Sequence, residues 1–319
     1  MALPVTMYRW DDVGAPQIVD GKPSEYMNVL KKCLVEGYGS KESLGWTVVD
    51  DIASPPFLSL RNNISLGGSG GVAVFSALDD VEGTNIKVFG CQDYASKDSQ
   101  SRKSYYFPIS RYSTGQYLNN KWFIIGTGNS FYFFAFNDYV YNSSRNRTAT
   151  NICCSFFMGD FNSIYPNDPA SFTAFSGAKN TLTSNWTQSF FYAFGESTSS
   201  NIMLVNQLDG ADVSHPASLK SVFGNENYVR KLINGPADIS VLSPHYILMG
   251  DGSLANSSIY QNKESPYARA VLPGLFSADA AGYDDESMPV VKNIDGVSYY
   301  LIPSANSYTG CCWINLEQW

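Results

Sequence analysis

The sequence has few charged residues. They make up 16% of the 319 positions, against roughly 25% in an average globular chain. Acidic residues outnumber basic ones by 29 to 21, which gives a formal net charge of −8, and lysine and arginine form no cluster along the chain. Proteins that bind nucleic acid use such clusters to neutralise phosphates. The sequence therefore argues against direct binding of DNA or RNA.

Long apolar runs are also missing. No stretch approaches the roughly 18 to 20 apolar residues that a membrane-spanning helix needs. The first residues, from Met1 to Trp10, contain neither the basic nor the apolar region of a secretory signal. We therefore expect no membrane span, and we expect synthesis in a cytoplasm, where the Asn-X-Ser/Thr motifs of the chain carry no glycan.

The usual spacings of metal sites are absent. The cysteines lie at positions 33, 91, 153, 154, 311 and 312, without a Cys-X-X-Cys pair. Acidic doublets such as Asp11-Asp12 and Asp50-Asp51 do not follow the register of a calcium-binding loop. We expect buried, reduced thiols, solvated acidic loops, and no metal or cofactor.

Motifs for nucleophilic catalysis are scarce. The only histidines are His215 and His245, each next to a proline and neither in a nucleophile motif, and we expect both in loops. Ser176-Gly177-Ala178-Lys179 matches Ser-X-X-Lys, but the companion motifs of the penicillin-recognising enzymes are missing. The glycine-rich run Gly67–Ala73 matches Gly-X-Gly-X-X-Ala, yet a strand pattern follows it where a phosphate-binding loop needs a helix. This run predicts a hairpin loop.

Paired carboxylates for glycoside hydrolysis are available in turn-like stretches, at Asp160, Asp168, Asp209 and Asp212. Acidic residues in turns normally accept hydrogen bonds from the backbone. The sequence therefore singles out no catalytic residue and predicts a protein that is not an enzyme.

What the sequence does contain is a repeated run of aromatic and β-branched residues followed by a turn of Gly, Asn, Ser, Asp or Pro. The clearest example is 122–136, where two apolar runs flank Gly-Thr-Gly-Asn-Ser and predict a β-hairpin. Strands are predicted at 46–49, 57–61, 72–76, 85–91, 105–112, 122–125, 131–136, 152–158, 190–194, 202–206, 247–249, 267–272, 289–292, 298–302 and 310–316. The pattern predicts a mainly β fold, an antiparallel sandwich or a barrel-like body.

The amino-terminal region has a different pattern. Residues 1–22 are rich in Pro, Gly and Asp without periodicity, and predict an extended arm outside the core. Residues 23–45 contain one amphipathic helix, which presents Leu30 and Leu34 on its apolar face and packs on the body. The body spans 46–319, and a division near 210–236, where short helical turns are predicted, remains open.

The surplus of aromatic residues has two interpretations. Rings interleaved with Asn and Ser occur at Tyr139, Tyr141, Tyr165, Trp186 and Tyr192. Rigid rings of this kind line sugar platforms and protein interfaces, and they also fill the cores of wide sandwiches. The candidates for interface residues are Tyr8, Trp10, Tyr139, Tyr141 and Trp186.

The first 46 residues resemble a known group of proteins. They read Tyr8-Arg9-Trp10-Asp11-Asp12-Val13-Gly14-Ala15-Pro16-Gln17, Gly21-Lys22-Pro23-Ser24-Glu25, Leu30-Lys31-Lys32-Cys33-Leu34-Val35-Glu36-Gly37-Tyr38-Gly39-Ser40-Lys41 and Leu44-Gly45-Trp46. This stretch of sequence resembles the amino-terminal region of a group of virion proteins of tailed bacteriophages. Weaker echoes follow at 122–126, 157–161, 269–275 and 313–319.

The resemblance implies a structural component of the virion, in the tail tip or baseplate, that acts in assembly or attachment. Its partners would be other virion proteins and copies of itself. Two alternatives remain, a tail module that binds a host receptor or a host-surface glycan, and a head decoration or head-tail connector protein. A tail lysin ranks last, because the resemblance carries no catalytic residues.

Overall fold

The computed structural model describes residues 2–109, 118–137, 153–177, 180, 182, 203–211, 214–221, 242–249, 267–278, 289–302 and 312–319. The strands are β1 (Thr6–Arg9), β2 (Thr47–Ala53), β3 (Pro56–Arg61), β4 (Val72–Ser76), β5 (Ile86–Ser96), β6 (Ser99–Lys103), β7 (Phe107–Ile109), β8 (Lys121–Gly126), β9 (Ser130–Phe136), β10 (Cys153–Asp160), β11 (Asn162–Ser163), β12 (Phe172–Phe175), β13 (Met203–Asn206), β14 (Ser214–Lys220), β15 (Leu242–Met249), β16 (Tyr267–Ala278), β17 (Val291–Ile294), β18 (Val297–Leu301) and β19 (Cys312–Asn315).

These strands form three antiparallel sheets. The first outer sheet has the order β2-β3-β4-β5-β6, with β7 also paired to β5. The central sheet has the order β1-β8-β9-β10-β12, and the second outer sheet has the order β13-β14-β15-β16-β19-β18-β17, with β11 paired to β16. The described sheets are open and sandwich-like. The mainly β prediction is confirmed, and of its two alternatives the sandwich applies to this part of the chain.

The central sheet is covered on both faces. Every residue of β9 is buried, and because successive side chains of a strand point to opposite faces, they enter two separate cores. Phe131 and Phe133 belong to the first core, which the first outer sheet and the amino-terminal helix complete. Tyr132 and Phe134 belong to the second core, which the second outer sheet completes.

The helix α1 (Pro23–Lys31) continues into a single π-helical turn, Lys32–Glu36. Its start is fixed by a proline in the first turn and by the Glu25 carboxylate, which accepts a hydrogen bond from the backbone N–H of Lys22 at 3.1 Å. Leu30 and Leu34 are fully buried in the first core. The predicted helix and its apolar face are confirmed.

The predicted arm is instead part of the fold. β1 pairs with β8, with Thr6 opposite Gly126, and Tyr8 is fully buried in the first core. The next segment is held by Asp12, whose carboxylate accepts hydrogen bonds from the Arg9 backbone and the Tyr38 hydroxyl, each at 2.8 Å. Sequence pattern did not predict this strand, because its partner strand, β8, lies far along the chain.

Two further predictions are wrong. The stretch from Ser214 was expected to begin short helical turns, but it forms β14, where Leu219 pairs with Ile247, because cross-strand pairing outweighs local propensity. His215 and His245 were expected in loops and lie on β14 and β15. Most of the proposed division near 210–236 and the predicted strand at 190–194 lie outside the described residues.

The expectation of buried, reduced thiols agrees with the structure for Cys33, Cys91, Cys154 and Cys312. In the described part of the chain, no helix is long and apolar enough to cross a membrane.

Candidate functional site

A cleft of about 440 Å³ opens where the turn between β8 and β9 meets the segment from β10 to β12 and the end of the chain. We call it the polar cleft, because most of its described lining residues carry a hydroxyl, an amide or a carboxylate. Its main lining residues are Asn129, Asp160, Asn162, Tyr165, Asp168 and Trp319. Its size falls within the usual range of sites for small ligands.

Asp160 ends β10 at the base of this cleft and is held by several donors. Its carboxylate accepts hydrogen bonds from Asn62 Nδ2 and the Ser69 backbone N–H, both at 2.8 Å, from Ser69 Oγ at 2.6 Å and from Ser171 Oγ at 3.2 Å. Burial raises the pKa of Asp160, although these hydrogen bonds act in the opposite direction. One side chain therefore joins the first outer sheet to the central sheet.

Asp168 forms a buried ion pair. Its Oδ1 lies 2.7 Å from Arg269 Nη2, and the two side chains are 3% and 0% exposed. Ser163 Oγ donates to the same carboxylate at 2.6 Å, and the backbone N–H of Ala170 donates at 3.0 Å. Arg269 Nη2 also donates to the carbonyl of Asn206 at 3.3 Å. This network joins the segment 163–170 to the second outer sheet.

Two of the four carboxylates that the sequence offered for glycoside hydrolysis, Asp160 and Asp168, therefore line the same cleft. A general acid or base must exchange its proton with the substrate, whereas both oxygens of Asp160 and both of Asp168 already accept hydrogen bonds from the protein. Asp209 instead accepts a hydrogen bond from the Ala211 backbone at 2.9 Å, and Asp212 lies outside the described residues. This arrangement favours a positioning role for the carboxylates.

One wall of the cleft is a fixed aromatic ring. The Trp319 indole donates to the Asn315 carbonyl at 2.8 Å and meets Tyr132 edge to face, with ring centroids 5.4 Å apart. Gly274 allows this placement, because a Cβ there would lie 1.9 Å from the indole nitrogen. Tyr165, which the sequence suggested for a sugar platform, also lines the cleft and is 37% exposed.

Several polar groups of the cleft are not used by the fold. Asn162 and Asn167 are exposed, and neither side chain has a hydrogen-bond partner among the described residues. Asn129 Oδ1 is buried, also without a partner. No lysine, arginine or histidine is among the described lining residues. The cleft therefore offers neutral hydrogen-bonding groups beside carboxylates whose oxygens already accept hydrogen bonds from the protein.

The candidate interface residues lie in different environments. Tyr8 donates a hydrogen bond to the Glu42 carbonyl at 2.5 Å and is fully buried, so it cannot contact a partner in this fold. Trp10 is half-buried and packs edge to face on Phe123 at 5.2 Å, and its proposed interface role stays a prediction. Tyr139, Tyr141 and Trp186 lie outside the described residues.

The glycine-rich run is a loop between strands, as predicted. Gly67 adopts a left-handed conformation with φ of 89°, and β4 follows at Val72. Gly71 packs beneath Phe172, where a Cβ would lie 2.2 Å from the ring. Within the Ser-X-X-Lys match, Ser176 donates to the buried Ser155 carbonyl at 2.8 Å, and the lysine lies outside the described residues.

The structure also joins two residues that the sequence did not link. His245 Nε2 lies 2.6 Å from Ser277 Oγ, on adjacent strands. Both side chains are buried, and burial lowers the pKa of His245 to about 3. A serine hydrogen-bonded to a histidine can act as a nucleophile with its base in catalysis. This pair, however, lies inside the sheet and does not line the polar cleft. No sequence motif indicated it, because its members are 32 positions apart.

Among the described residues, no group of three or more His, Cys, Asp or Glu side chains is placed to hold a metal ion. Comparison of the chain with protein-family models, curated proteins and solved structures found no match.

Proposed function

We propose that this protein is a structural component of a tailed-phage virion, located at the tail tip or baseplate, where it acts in assembly. The observation that carries the proposal is the resemblance of residues 7–46 to the opening of such virion proteins. Low charge and abundant aromatic residues are consistent with subunits that bury surface against one another.

The same region is fastened to the core and has an exposed apolar side. Trp46 Nε1 donates to the Thr127 carbonyl at 3.3 Å, which fastens the end of the region to the central sheet. Val13 and Val19, in contrast, are 91% and 68% exposed. We propose that these two apolar side chains contact neighbouring virion subunits, since apolar surface outside the core supports protein contacts.

Immunogold labelling tests the location. An antibody to this chain should label the tail end of negatively stained particles. Labelling of heads would instead support the decoration or connector alternative, and particles without label would refute the proposal.

Charged substitutions test the contact. Val13→Asp and Val19→Asp should reduce incorporation into particles without lowering the melting temperature of the purified chain. Val291→Asp, at a half-exposed position on the opposite outer sheet, is the matched control and should be incorporated normally. Equal incorporation of all three variants would contradict an assembly contact at Val13 and Val19.

The second candidate function is a tail module that binds a host-surface glycan, and the polar cleft with its aromatic wall favours it. Alanine substitutions at Tyr139, Tyr141 and Trp186 separate the two candidates. An assembly component should lose particle formation, whereas a receptor binder should give intact particles that adsorb poorly to cells.

A further inference from the structure

We propose that the polar cleft binds a neutral saccharide and does not cleave it. The proposal extends the glycan-binding candidate to a defined site and ligand class. It does not depend on the virion assignment, because binding can be measured on the purified chain.

The charge of the cleft selects for a neutral ligand. Strong binding of a phosphate or carboxylate ligand relies on charge-assisted hydrogen bonds from cationic side chains, and the described lining contains no lysine, arginine or histidine. A cationic ligand needs a carboxylate with unused capacity. Asp168 is neutralised by Arg269, and Asp160 is occupied by donors from Asn62, Ser69 and Ser171. The remaining chemistry is that of uncharged donors and acceptors.

The free polar groups suit hydroxyl-rich ligands. Asn162 and Asn167 each offer an amide donor and an acceptor, and neither is engaged by a described residue. An apolar ligand would leave these groups and the buried Asn129 Oδ1 without partners, which is costly. A sugar hydroxyl both donates and accepts, so it can satisfy amides of either orientation.

The aromatic residues provide the apolar part of the site. Sugar rings present C–H groups that pack on aromatic faces, and a ring that is already fixed loses little entropy on binding. The Trp319 ring is held by its hydrogen bond to the Asn315 carbonyl and by its edge-to-face contact with Tyr132, and it packs closely against Gly274. Tyr165 supplies a second, partly exposed ring. Together with the amides, these rings form the usual combination of a site that binds small polar ligands.

Cleavage is not part of the proposal, because the two carboxylates are engaged in the structure. Asp160 and Asp168 hold the segment that carries Asn162, Tyr165 and Asn167. Their role is to position that segment, and the saccharide should therefore be released unchanged.

Saturation-transfer NMR and calorimetry on the purified full chain test the inference. The probes are glucose, galactose, N-acetylglucosamine and their disaccharides, with glucose 6-phosphate as the anionic comparator. At least one neutral sugar should bind, and binding of the phosphorylated sugar should be weaker. Absence of binding by every neutral sugar at millimolar concentration, or tighter binding of glucose 6-phosphate, would overturn the proposal.

Variants locate the site. Asn162→Ala should weaken binding by about two- to tenfold, the value of one lost hydrogen bond. Asn167→Gly should do the same, and glycine tolerates the left-handed backbone at this position, where φ is 56°. Tyr165→Ala should weaken binding by about tenfold, whereas Tyr165→Phe keeps the ring and should retain most of the affinity.

Ile164→Ala is the matched control. Ile164 lies in the same loop, is 54% exposed and does not line the cleft, so this variant should bind like the wild type. Equal losses in the control and in the Asn variants would refute the cleft as the site.

A hydrolysis assay tests whether the cleft also cleaves its ligand. If the wild-type chain released product from a disaccharide and Asp160→Asn or Asp168→Asn abolished that release, hydrolysis would replace binding as the role of the cleft. Failure of these assays leaves the immunogold result, and therefore the virion proposal, unaffected.

Discussion

Strands of the central sheet and of the second outer sheet differ in how buried residues are spaced along them. In β9 of the central sheet every residue is buried, whereas in β15 of the outer sheet buried residues alternate with half-buried ones. A strand that contributes to two cores needs an unbroken apolar run, and a strand with one solvated face needs alternation. The run of aromatic residues at 131–136 therefore indicated a middle layer, which a two-layer sandwich does not require.

Strand β9 and the second outer sheet also differ in buried polar groups. Side chains of β9 that enter the cores are almost all aromatic. The second outer sheet instead buries Arg269, His245 and Ser277, each with a described hydrogen bond. We infer that β9 contributes mainly apolar stabilisation, while the second outer sheet buries a histidine whose charged form is disfavoured by burial.

The largest expected effect is at the centre of the middle layer. Phe133→Ala removes a fully buried ring from the first core and should lower the free energy of unfolding by about 3 to 5 kcal/mol. Val291→Ala, on the outer edge strand β17, should change it by less than about 0.5 kcal/mol. Urea titration of both variants measures the difference, and similar losses would contradict the contrast between the sheets.

The amino-terminal helix should behave like the central sheet. Leu30 is fully buried in the same core, so Leu30→Ala should cost about 2 to 5 kcal/mol by urea titration. The matched control is Leu66→Ala, at a position 48% exposed, with an expected change near zero. A loss below about 1 kcal/mol at Leu30, typical of surface sites, would show that the helix adds little to the core.

The second outer sheet should show a pH dependence that comes from its buried histidine. The pKa of His245 is about 3 in the folded chain because the ring is buried, and about 6.5 when unfolded. The unfolded state therefore takes up the proton first, and the contribution of this group to stability is complete above pH 6.5 and is lost as the pH falls toward 3. Between pH 7 and pH 4.5 the loss should be about 2 to 3 kcal/mol.

The comparison with His245→Gln isolates this effect from the other titrating groups. Free energies of unfolding of the two chains, measured from pH 7 to pH 4.5, should converge because only the wild type loses the histidine contribution. Parallel curves would show that His245 does not titrate between the two states.

The smallest expected effect concerns the contact between the first outer sheet and the central sheet. Gly71→Ala places a methyl group against the Phe172 ring and should cost about 1 to 3 kcal/mol through overpacking. Adding Phe172→Leu makes room, so the double variant should lose less than the sum of the two single losses. Additive losses in thermal unfolding would show that the two residues do not compete for space.

Local pattern predicted much of the fold. Val72–Ser76 matches its predicted range, and the hairpin of β8 and β9 and the buried face of the helix follow from periodicity and turn residues. The strand Thr6–Arg9 could not be predicted in this way, because its pairing with β8 depends on residues more than a hundred positions later. For Ser214–Lys220, helix-like spacing of apolar residues conflicted with cross-strand pairing, and pairing determined the structure.

The candidate site was only partly accessible from the sequence. Asp160, Asp168 and Tyr165 were singled out by residue type. Their convergence in one cleft, and the buried Arg269 behind Asp168, come from distant segments. The sequence therefore indicated residues suited to a polar site, and the folded chain determines which of them are engaged and which are free.

The strand order of the sheets also sets an order of events during synthesis. The first outer sheet pairs neighbouring strands from 47–109, so it can form with the helix as soon as that part of the chain emerges. The apolar face that contains Leu58, Phe75 and Val88 then remains uncovered until β8 to β10 arrive. During that interval the growing chain is prone to aggregation, and we expect low temperature, which weakens apolar association, to favour its recovery in soluble form.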